Sequence, residues 1–124
     1  MRPIIAMINM DMIGRMRSEQ VYVGGVNSGR EFGKLLAEVN KQARLQLDCS
    51  DNGGYGSSDQ FAFLPKEIPV LFFFTGLHAD YHTPSDTWER IEAEPAARLV
   101  EFIGSVAGRL LEAKRRPTFV TRRR

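Results

Sequence analysis

Two segments of strand length are apolar almost without interruption. Pro3 to Met12 runs through Ile4, Ile5, Ala6, Met7, Ile8 and Met10 before Gly14 ends it, and Ile68 to Thr75 runs through Val70, Leu71, Phe72, Phe73 and Phe74 between Pro69 and Gly76. A strand with one face in water alternates polar and apolar side chains, so unbroken runs predict strands covered on both faces. Two more strands are expected, at Gln20 to Gly25 and at Leu45 to Cys49. Phe32, Leu35, Leu36, Val39 and Ala43 recur at the period of one helical face, and Leu99, Phe102, Ile103, Val106 and Leu110 do the same in a last helix ending near Lys114. Ser57 or Ser58 is placed to cap a short helix through Leu64, and Asp86 with Glu89 three residues later has the spacing of a capping box. Covered strands alternating with amphipathic helices predict an α/β fold, three-layer α/β/α, with a mixed and largely buried sheet.

A chain of 124 residues with 43% hydrophobic content is enough for one domain or part of one. The single Cys49 excludes an internal disulfide and a thiolate zinc knuckle. No apolar run approaches the roughly 20 residues that span a bilayer, and the first residues read as a strand rather than a signal peptide. A soluble chain is expected, with its compartment open. The net charge of +2 hides an asymmetry: six of the 17 basic residues lie in 114–124 with no acid, leaving 11 basic against 15 acidic elsewhere. The expected organisation is a folded unit over 1–114 and a solvated, flexible basic tail over 115–124, with no nucleic-acid partner and no membrane segment.

The residues able to carry chemistry gather after the two apolar runs. Asp11 stands in a strand where an unpaired carboxylate is costly to bury. It reads either as a carboxylate paired with Arg15 or as a metal ligand at the strand's C-terminal end, where α/β sheets place their sites. His78 and His82 have chelating spacing on a helix, but Gly76 and Pro84 argue against a helix there. Each alone reads as a loop residue, a neighbour of a ligand, or a ligand. Asp86 either orients an imidazole or caps the next helix. Tyr55 lies in a glycine-rich loop, as a surface aromatic or as a phenol donating to a developing oxyanion. Ser58 and Asp59 read as a helix cap or as the wall of a site.

Taken in order, the segment Asn9 to Arg15, the segment Gly54 to Asp59, Ile68-Pro69-Val70, and the segment Tyr81 to Thr87 resemble the dinuclear-zinc aminopeptidase family. That group of exopeptidases includes glutamate carboxypeptidase, glutaminyl cyclase and the transferrin receptor ectodomain. The resemblance spans nearly the whole chain. It implies the C-terminal half of a zinc-exopeptidase catalytic domain, in which Asp11 ligates one zinc ion, His82 ligates the other, and Tyr55 supports the tetrahedral intermediate. Arg15, Ser58, Asp59, His78 and Asp86 would then lie around the ligands or the substrate. In such a domain a water held between two zinc ions attacks the peptide and a glutamate takes its proton.

Two departures qualify the likeness. The family's first zinc histidine, bridging aspartate and glutamate pair have no counterparts before Asp11, and Gln60 stands where many members have histidine. The isolated chain is therefore expected to hold an incomplete zinc site, to be inactive, and to associate with a missing N-terminal half or with itself. Its complete parent would release N-terminal residues from peptide substrates. The alternatives are a non-catalytic association module of the same fold and a single-zinc acyltransferase resembling glutaminyl cyclase.

Overall fold

The computed structural model describes residues 4–50 and 58–121. Four strands form one mixed sheet: β1 (Met7–Asp11), β2 (Gln20–Gly24), β3 (Gln46–Asp48) and β4 (Val70–Phe74). The spatial order is β1-β4-β2-β3, with β1 parallel to β4, β4 antiparallel to β2, and β2 parallel to β3. Two helices, α1 (Phe32–Ala43) and α2 (Ala93–Glu112), follow the predicted apolar periods. The fold is α/β with a mixed sheet, as the sequence predicts.

The helices pack on one face of the sheet. Val21, Val23, Leu71 and Phe73 point into a core that Phe32 and Leu36 of α1 and Leu99, Phe102, Ile103, Val106 and Leu110 of α2 complete. Phe73 meets Phe102 edge-to-face, with centroids 6.2 Å apart and an interplanar angle of 87°, an arrangement that suits the opposed charge of ring edge and ring face. The opposite face carries Asn9, Asp11, Tyr22, Phe72 and Phe74, because strand side chains alternate. A 3-10 segment at Val26–Ser28 follows β2, with Val26 packed against the helix-side core, and another at Asp59–Lys66 lies over the Asn9 face. Ser28 fixes the first of them: its buried hydroxyl accepts from the Val70 amide at 2.8 Å and donates to the Gly25 carbonyl at 2.6 Å. Gly25 is required there, since its φ is 76° and a Cβ would stand 2.4 Å from the Val70 carbonyl oxygen.

Three local expectations change. β1 is an edge strand among the described residues, with no fully buried residue and Met10 48% exposed. Its apolar run calls for two fully covered faces, and the described residues cover it only in part. The short helix after Ser58 is a 3-10 segment that runs through Pro65 to Lys66. The stretch after Asp86 begins with a 3-10 turn at Trp88–Arg90, and α2 starts only at Ala93, with Pro95 in its first turn.

The basic tail makes backbone hydrogen bonds at Thr118 and Val120. Arg30 donates its backbone N–H to the Thr118 carbonyl, and Val120 donates to the Ser28 carbonyl, both at 2.9 Å. Glu31 accepts from the Thr118 amide at 2.7 Å and from its hydroxyl at 2.8 Å. No helix of the described residues is long and apolar enough to cross a membrane.

Candidate functional site

Asp11 is the last residue of β1, so its carboxylate emerges at the strand's C-terminal mouth on the face opposite the helices. Its Oδ2 accepts from the Ser58 hydroxyl at 2.8 Å. Ser58 accepts in turn from the Asn9 amide at 2.9 Å, and the same Asn9 nitrogen lies 3.0 Å from the Gln60 Oε1. Gln60 is wholly buried. Asn9 stands two residues before Asp11, hence on its face, and holds the start of the 59–66 segment against β1. Ser58 occupies the N-cap position of that segment, with extended backbone, yet makes no side-chain capping bond. Its hydroxyl donates to Asp11 instead. Asp59, the next residue, is exposed in the first turn.

Arg15 does not pair with Asp11. Its two terminal nitrogens reach the Asp80 Oδ2 and the Asp86 Oδ1, each at 2.6 Å. Asp80 also accepts from the Ser85 hydroxyl at 2.6 Å and lies 3.5 Å from Arg90. The Arg15 hydrogen bond, then that of Ser85, then the charge of Arg90 pull the Asp80 pKa down to about 2, because each favours the charged carboxylate.

Residues 79–85 form turns rather than a helix, so His78 and His82 do not share a helical face. The imidazole of His78 is 8% exposed, with Nε2 4.0 Å from the Asp86 Oδ2, too far for a hydrogen bond. Its Nδ1 is buried without a hydrogen-bond partner among the described residues. His82 is exposed, has φ of 55°, and stacks its ring on Tyr81 with centroids 3.8 Å apart. Asp86 faces Arg15 and His78; the residue at the N-cap of the following 3-10 turn is Thr87. A second non-glycine residue in the left-handed region, Met12 at φ 52°, follows Asp11 directly. Its carbonyl accepts from the Thr75 hydroxyl, which joins the ends of β1 and β4. Tyr55 lies outside the described residues.

Asp11 and Ser58 are therefore in contact, Arg15 joins Asp80 and Asp86, and His78 lies beside Asp86. Asn9 and Asp80 are the residues that sequence reasoning missed. Asn9 had a signal, being a polar side chain in an apolar strand on the face of Asp11. Asp80 had none, since its partner is 65 positions away.

The family model of peptidase family M28 matches residues 1–107. The chain belongs to peptidase family M28, the zinc exopeptidases that its motifs resemble. No curated protein and no solved structure matches it significantly.

Peptidases of this family are zinc-dependent, which raises the question of whether the residues present fit the metal. Among the described residues no three His, Cys, Asp or Glu side chains come together as a metal-binding group, whereas a catalytic zinc takes about three protein ligands. The described side chains do not make a complete zinc site.

Proposed function

We propose that this chain is the part of an M28 aminopeptidase domain that supplies one ligand to each of two zinc ions, Asp11 and His82, together with Tyr55 as oxyanion donor. The observation that carries the reading is the state of Asp11. Its carboxylate stands at a strand mouth on a hydroxyl donor, while the neighbouring cation Arg15 is taken up by Asp80 and Asp86. A carboxylate held by a single neutral donor is oriented yet keeps a second oxygen for a cation.

The residues' roles follow from their chemistry. Ser58 and Asn9 orient the Asp11 carboxylate. Tyr55 would donate a phenol hydrogen bond to the oxygen that gains charge as the peptide carbonyl is attacked. The remaining zinc ligands and the general base would come from an M28 N-terminal half, and hydrolysis is expected only when the two are joined.

The test is reconstitution. Joined to an M28 N-terminal half, the chain should release N-terminal residues from a panel of aminoacyl peptides. Tyr55→Phe should then lower kcat by about 10²-fold to 10³-fold with little change in KM, the usual cost of deleting one oxyanion donor. A reconstituted domain that binds two zinc ions but cleaves no peptide would favour the non-catalytic module instead. Equal rates with Tyr55→Phe would remove Tyr55 from the mechanism.

A further inference from the structure

We infer that Arg15 is a positioning residue: it clamps the turn that carries His82 onto the end of the strand that carries Asp11. The inference rests on the reading of His82 and Asp11 above, and it adds the device that fixes their relation. Arg15 lies four residues beyond Asp11, and the two carboxylates it grips flank His82, two residues before it and four after. One planar guanidinium thus spans both sides of the histidine. A fork of fixed geometry holds two carboxylates at once, which a lysine ammonium on a flexible stem does not do equally well.

Four further observations fit a clamp. The side chains of Arg15 and Asp80 are 12% and 15% exposed, so the pair is shielded from much of the screening that weakens surface ion pairs. Inside the turn, Thr83 donates its hydroxyl to the Asp80 carbonyl at 2.7 Å, and Ser85 donates to the Asp80 carboxylate. The turn is therefore organised around the residue that Arg15 holds. His82 itself has the left-handed backbone of φ 55°, a conformation that persists in a non-glycine residue only when its surroundings enforce it. The Glu92 amide adds a tie at the far end, donating to the Gly14 carbonyl at 2.8 Å.

Nuclear magnetic resonance on the isolated chain tests this without zinc. The stacked Tyr81 ring should shift the His82 ring protons upfield. Arg15→Gln should return them toward random-coil values and speed exchange of the Tyr81, Thr83 and Asp86 amides about tenfold or more, while Val21, Phe73 and Val106 keep their protection. Arg15→Lys, which keeps the charge and loses the fork, should restore only part of the shift. Unchanged His82 shifts and turn exchange in Arg15→Gln would overturn the clamp, as would full rescue by Arg15→Lys. If Arg15→Gln unfolds the whole chain, Asp86→Asn removes one arm alone. It should loosen the turn with the core intact, and an unaltered turn in that variant would equally overturn the proposal. Because neither readout involves metal or peptide, loss of the clamp and loss of the aminopeptidase reading are separable results.

Discussion

At the scale of single residues, pairings across the fold decide what each charged group is able to do. Asp11 and Arg15 are four apart, and local spacing alone makes them natural partners. The fold assigns Ser58 to one and Asp80 with Asp86 to the other, because β1 ends between the 59–66 segment and the 79–85 turns. The apolar strand made the position of Asp11 legible in the sequence, but its partners are long-range and left no local trace. Glu31 is a second case, a residue with no evident role until the tail folds back on it. Burial works to raise its pKa from the ordinary 4.5, but the Thr118 amide and hydroxyl donors outweigh that and the net shift is downward. A lowered folded pKa gives stabilisation that is complete above the unfolded value and lost as pH falls through the folded one. Tail docking should therefore be constant from neutral pH to about pH 5 and fail below the ordinary carboxylate range. Amide exchange at Arg30 and Val120 measures it, and Glu31→Gln should flatten the acid dependence.

At the scale of elements, the strands and helices were legible because their apolar periods coincide with their final burial. Leu71 and Phe73 of β4 and the stripe from Leu99 to Leu110 of α2 meet in one core. Phe73→Ala should destabilise the chain by about 3 to 5 kcal/mol, the usual cost of emptying a fully buried aromatic site. Chemical denaturation of the two forms checks this, and a change below 1 kcal/mol would mean that the core collapses around the gap. Termini of elements were less legible. Ser58 and Asp86 are good capping residues by composition, yet the Ser58 hydroxyl donates to Asp11 and the Asp86 carboxylate takes Arg15. Tertiary hydrogen bonds outcompeted local capping at both positions.

At the scale of the whole molecule, the mismatch lies at β1. Its sequence asks for two covered faces, and among the described residues it is an edge with one neighbour and an exposed Met10. Unpaired strand edges with apolar side chains invite another chain. We expect the isolated chain to form dimers or larger species at high concentration, and Met10→Lys to shift it toward monomer. Light scattering decides between these states, and a strictly monomeric wild type would show that the edge is satisfied by other means. Membership in M28 was readable from ordered motifs, whereas the described residues bring no three metal-binding side chains together. The central claim, that Asp11 and His82 each serve a different zinc ion, is tested most directly by native mass spectrometry of the chain reconstituted with an M28 N-terminal half. Two zinc ions are expected in the wild type and one in each of Asp11→Ala and His82→Ala. Two ions retained in either variant would contradict it.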